Sequence, residues 1–72
     1  MYRRVVASSN LLSVGYDSST NVLEVEFCHG GVYQYAAVPR GVYEGLMNAE
    51  SHGKFFDLHV KKAGYVATRI SG

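Results

Sequence analysis

A chain of 72 residues, 47% hydrophobic and 18% charged, has room for one small core and excludes both a disordered chain and a second domain. A single cysteine, Cys28, excludes an internal disulfide, so the core must hold the fold unaided, as suits a reducing cytoplasm. A net charge of +1 is not the balance of a strong nucleic-acid binder, and no apolar run reaches the ~18 residues of a membrane span or the length of a signal peptide.

Read in chain order, "RRVVA" (3–7) is a short extended segment predicted to pair beside the last strand. "LLSVGY" (11–16) places Leu12, Val14 and Tyr16 on one side and Leu11, Ser13 and Gly15 on the other. "DSSTN" supplies turn formers. "VLEVEF" (22–27) then sets Leu23, Val25 and Phe27 against Glu24 and Glu26, the alternation of a strand with one buried and one wet face. "HGG" marks a second turn, and "VYQYAAV" a third strand, which Pro39 ends because it has no N–H to give a ladder.

Between Arg40 and Glu50 the apolar residues Val42, Tyr43, Leu46, Met47 and Ala49 recur at spacings of three and four, predicting a helix with a stripe toward the sheet. Gly45 either weakens that helix or lets it pack closely, and Gly53 suits a helix stop. "KFFDLHVKK" (54–62) reads as a short second helix burying Phe55 or Phe56 with Val60, or as a loop tucking both rings under the sheet. "GYVATRI" (64–70) alternates again. The expected fold is α+β: a small antiparallel β-meander of three to five strands packed against one or two short helices, forming a single domain over residues 1–72.

Residues that carry chemistry are sparse. Cys28 and His29 are neighbours on an extended chain and point to opposite faces, and with His52 and His59 they match no usual zinc-ligand spacing. "CHGGV" lacks the following helix and lysine of a phosphate loop. Ser8 and Ser9 suit turn hydrogen bonds. Ser51, Gly53 and Lys54 make an anion-binding candidate. No enzyme activity, metal or cofactor is expected.

The segments "SSNLLSVGYD", "LEVEF", "GGVYQYAAVP" and "VYEGLMNAESHGKFF" together resemble the KTSC family, over about residues 7 to 65. That family comprises small bacterial domains that also occur at the carboxyl end of some lysyl-tRNA synthetases. The Tyr-x-Tyr pair at 33–35, Val38-Pro39 and "AESHGKFF" (49–56) carry most of the resemblance. After Phe56 the chain departs from it, with Asp57 and "KKAGYVATRISG" in place of a more basic, aromatic tail. The resemblance implies a bacterial binding module, with RNA as the suggested ligand.

The hairpin around "HGG" decides what Tyr33 and Tyr35 can do. A two-residue loop, at His29-Gly30 or Gly30-Gly31, puts both rings on the face of Glu24 and Glu26. A three-residue loop opposes Tyr33 to Phe27 and Tyr35 to Val25 and turns them inward. Glycines at the tip favour the two-residue loop and hence exposed rings. Exposed rings would stack bases, although the two glutamates beside them would repel phosphate.

Cations come from elsewhere. Between residues 5 and 50 Arg40 stands alone against five carboxylates, whereas the two ends are basic and would form one basic face if they met. The expected RNA contacts are Tyr33 and Tyr35 for stacking and Arg40, Lys54, Lys61 and Lys62 for phosphate. The alternative partner is a protein, or a second copy of the chain in a homodimer, adding strands at an exposed sheet edge.

Overall fold

The alternation in "VLEVEF" produces the middle strand of a five-stranded sheet. A computed structural model describes residues 1–71. Its strands are β1 (Arg4–Val5), β2 (Leu11–Asp17), β3 (Val22–Phe27), β4 (Val32–Tyr35) and β5 (Ala67–Ser71), antiparallel throughout and adjacent in sequence order. Helix α1 (Arg40–Asn48) and helix α2 (His52–Phe56) link β4 to β5. The expected α+β meander is what forms.

One face of the sheet carries the core. Leu23 and Val25 on β3 and Val14 on β2 are fully buried, and Leu46 of α1 meets them. Burying side chains of this size stabilises the fold by roughly 1.5–3 kcal/mol each. The stripe on α1 is tied down at its near end by Tyr16, whose ring stacks on Tyr43 at 5.0 Å and whose hydroxyl donates to the Val38 carbonyl at 2.6 Å. β4 ends at Tyr35, short of the end expected at Pro39, because the chain reverses through Ala37, held at φ 58°, a left-handed conformation costing alanine roughly 1–2 kcal/mol. The Val38 N–H bond to the Asn21 carbonyl and the Ala36 N–H bond to the Val66 carbonyl secure it.

The segment "KFFDLHVKK" is helical. Ser51 caps α2 by accepting from the Lys54 N–H at 3.2 Å, and α2 runs directly into a π-helical turn, Asp57–Lys61, where the Lys62 N–H reaches back five residues to the Asp57 carbonyl. Phe56 and Val60 enter the core. Phe55 lies across Gly45: a Cβ there would stand 2.6 Å from the Phe55 ring, so that glycine serves close helix packing. Gly53 sits inside α2 instead of ending it, and it too serves close packing, since a Cβ there would stand 3.2 Å from the Asn10 amide nitrogen.

Three further expectations fail, each for a reason of register. In β2 the pairing shifts between Leu11 and Ser13; this bulge buries Leu11 and leaves Leu12 41% exposed, the reverse of strict alternation. The ends of the chain do not pair: β1 joins β2 and β5 joins β4, at opposite edges of the sheet, so no common basic face forms from them. Finally, the β3–β4 turn has three residues, Cys28–Gly30, closed by a Phe27 N–H to Gly31 carbonyl bond of 3.1 Å. Gly30 and Gly31 both take positive φ, 109° and 91°, which lengthens the turn. Tyr33 therefore opposes Val25 and Tyr35 opposes Leu23, and both rings face the core side. The outward expectation is corrected.

The other face of the sheet is polar, yet Glu24 on it is only 3% exposed. The N-terminal segment covers it. Arg3 donates to Glu24 at 2.5 Å and to the Ser13 hydroxyl at 2.9 Å, and its guanidinium lies 3.6 Å from Glu26. Gln34 donates to the second Glu24 oxygen at 2.9 Å. Burial alone would raise the Glu24 pKa; the Gln34 and Arg3 bonds outweigh it and hold the carboxyl below its ordinary value of 4.5. Gly15 makes room for this cover, since a Cβ would meet the Tyr2 carbonyl oxygen at 2.5 Å.

Two outcomes are expected. Gly45→Ala gains up to ~1 kcal/mol of helix propensity but loses about 1–3 kcal/mol to overpacking. Urea denaturation should therefore show net destabilisation that disappears in a Phe55→Ala background. Arg3→Ala strands a buried carboxylate and should cost about 1–3 kcal/mol at neutral pH. Because the folded Glu24 pKa is depressed, its stabilisation is present above about 4.5 and lost as pH falls through the lower folded value. The difference between wild type and variant should accordingly shrink on acidification, as read by thermal melts across pH 7 to 3.

Candidate nucleic-acid interface

Turning Tyr33 and Tyr35 inward does not bury them equally. Tyr35 is 7% exposed and packs edge-on against Phe56, ring centroids 5.5 Å apart. Burial pushes its phenol pKa up, with Tyr33 adding to the rise. It acts as a core residue. Tyr33, nearer the open end of the sheet, stays half-buried and meets Phe27 edge-on at 5.6 Å.

Above Tyr33 the pairing of β5 with β4 places Arg69 directly opposite, its guanidinium carbon 5.9 Å from the ring centroid. Such a cation over a phenol ring contributes roughly 0.5–1 kcal/mol at an exposed site. The two tyrosines, Phe27, Phe56 and Tyr65 line a cleft of about 360 Å³, with His29 and Lys61 on its walls. The volume lies at the small end of ligand pockets. The walls are aromatic and the charged groups cationic.

Two further grooves continue from this cleft. One of about 370 Å³ shares Phe27, His29, Phe56 and Lys61 with it and extends to Asn10, Gly53 and Lys54. The next, about 440 Å³, shares Asn10, Gly53 and Lys54 and is walled by Ser8, Ser9 and Ser51. In the sequence "SSN" and "SHGK" are separate features; the close contact at Gly53 makes them two sides of one groove.

The expected phosphate contacts divide. Lys54 and Lys61 border the grooves, and among the described residues neither has a carboxylate partner. Lys62 lies 3.3 Å from Asp57, and Arg40 pairs with Glu44 one helical turn away at 3.1 Å; neither borders any of the three grooves. The repulsion expected from Glu24 and Glu26 is absent at the cleft, since both lie on the opposite face, committed to Arg3. Sequence reasoning missed Tyr65 and Asn10. Tyr65 carries no signal in a plain alternating run, and Asn10 gains its place only through the approach of α2.

Cys28 is exposed, with its thiol 3.7 Å from the Ser8 carbonyl. Among the described residues no three His, Cys, Asp or Glu side chains converge as a metal site, and no helix is long and apolar enough to cross a membrane.

A five-stranded antiparallel meander backed by two short helices, with an aromatic cleft opening between β4–β5 and the π-helical turn, defines a small α+β domain of one recognisable type. The KTSC domain model matches residues 7–65, and the chain belongs to that family. The crystal structure of a KTSC domain protein from Yersinia pestis superposes with a TM-score of 0.92 at 38% identity, covering 97% of each chain. An uncharacterized protein of Stutzerimonas stutzeri is 43% identical over 70 residues, 97% of this chain and 99% of its own. A lysine–tRNA ligase of Trichormus variabilis is 46% identical over 46 residues, 64% of this chain but 8% of the ligase.

The unequal burial of the two tyrosines has a direct consequence. Tyr35→Ala should cost about 3–5 kcal/mol in urea denaturation, the range for truncating a buried aromatic, whereas Tyr33→Ala should cost clearly less and leave the domain folded.

Proposed function

We propose that this KTSC domain is a non-catalytic binding module for RNA, taking an unpaired base into the cleft beside Tyr33. The observation that carries the proposal is the half-buried Tyr33 ring with Arg69 over it and Lys61 at the same cleft, an aromatic surface rimmed by cations. A base stacked on such a ring contributes ~1–3 kcal/mol and is accepted whatever its sequence. The separation of Glu24 and Glu26 onto the other face removes the local charge that would oppose a phosphate. Similarity to part of a lysine–tRNA ligase, whose name makes tRNA its substrate, supports RNA over other polyanions and supports a cytoplasmic setting.

Binding is weak and salt-sensitive. Lys54 and Lys61 are the cations that border the grooves, fewer than the sequence suggested. Each contact to a single strand contributes a slope of about −0.7 in a plot of log affinity against log salt. Fluorescence anisotropy with labelled single-stranded RNA should give a slope between about −1 and −2. Tyr33→Ala should weaken binding by about 5- to 150-fold, the equivalent of one lost stacking contact. A salt-independent signal, or one unchanged in that variant while it remains folded, would refute the proposal.

A further inference from the structure

The three adjoining grooves allow a more specific statement, which rests on the RNA reading just given. We infer that the ligand is a single-stranded segment laid along the whole track. One base sits in the aromatic cleft, and the sugar–phosphate chain passes Lys61 and Lys54 to a second, polar subsite between Ser8–Asn10 and Ser51–Lys54.

Continuity comes first. His29 and Lys61 border both the cleft and the middle groove, while Asn10, Gly53 and Lys54 border both the middle and the far groove. The two unpaired lysines therefore stand at the two junctions, where a backbone crossing from one groove to the next must pass. The carboxylate lining the middle groove, Asp57, is engaged by Lys62 at 3.3 Å. Glu50, on the wall of the far groove, limits the anionic path at that end.

The chemistry of the walls changes along the way. Aromatic rings line the cleft, whereas the far groove offers hydroxyl and amide groups. Ser8 accepts from the Asn10 and Leu11 backbone N–H groups at 3.2 and 3.3 Å and so keeps its own proton to donate. The Asn10 side chain has no hydrogen-bond partner among the described residues and can both donate and accept. Such groups suit ribose hydroxyls and phosphate oxygens better than a base face. Gly53 keeps this subsite open, because a side chain there would meet the Asn10 amide.

A duplex does not fit this arrangement. Its bases are stacked and paired, so none can enter a cleft between β5 and the helical turn without being splayed out. The site thus selects unpaired RNA, of ~4 nucleotides at the small end for such domains.

The test uses anisotropy with labelled oligouridylates of two and eight nucleotides and an eight-base-pair RNA duplex. The eight-mer should bind at least about tenfold tighter than the two-mer, because its remaining contacts are made intramolecularly. Lys54→Gln and Asn10→Ala should each weaken the eight-mer several-fold and leave the two-mer unchanged, with thermal melts matching wild type. The duplex should not bind. Equal affinity for the two lengths, eight-mer binding untouched by both variants, or equal binding of the duplex overturns the track; Tyr33-dependent binding of the two-mer would then leave the single-base reading standing. A polyglutamate octapeptide binding as tightly as the RNA, or no binding of any oligonucleotide, overturns both.

Discussion

The bond from the Phe27 N–H to the Gly31 carbonyl closes a turn with an odd number of residues, and side chains on a strand alternate with a period of two. One residue more or fewer in that turn would invert every side chain of β4. As built, Val32 and Gln34 oppose Glu26 and Glu24, while Tyr33 and Tyr35 join Val25 and Leu23. The aromatic content of the core, the position of the cleft and the place of Arg69 above it all descend from that parity. Two glycines at positive φ are what the turn requires, because residues with a Cβ resist that region.

The same parity sorts the charges. Carboxylates at 24 and 26 gather Arg3, Ser13 and Gln34 around them on the polar face. The network uses up the negative charge of the strand and fastens the N-terminal segment across it. What remains at the cleft on the helical face is aromatic, with Lys61 on its wall. A sheet this small cannot bury both faces in apolar side chains. The division leaves one face as a satisfied polar seal and the other as a core that stays open at one end.

That open end follows from where the helical cover stops. Helix α1 lies against Tyr16 and the near part of the sheet, α2 brings Phe56 over its centre, and the π-helical turn adds Val60. The π-helical turn carries Lys61 to the margin, and β5 is exposed along its full length. Tyr35 falls under the cover and Tyr33 beyond it. Two residues of identical chemistry, one position apart on the same face, thereby take different work, one in stability and one at the cleft.

Much of this was written locally. The alternation of β3, the apolar stripe of α1, the breaks at "DSSTN" and "HGG", and the α+β class follow from hydrophobic period and turn chemistry, which act between near neighbours in the chain. The facing of the tyrosines, the bulge that exchanges Leu12 for Leu11, the opposite placement of the two terminal strands and the meeting of Asn10 with Gly53 did not follow. Each depends on a register or a close approach between segments far apart in sequence. For these the competing arrangements carry the same local pattern and differ only in what the rest of the molecule packs against them. The residues of the cleft were thus nameable from composition and motif, but their grouping was decided by tertiary pairing, because only the completed sheet and its helical cover determine which rings meet water.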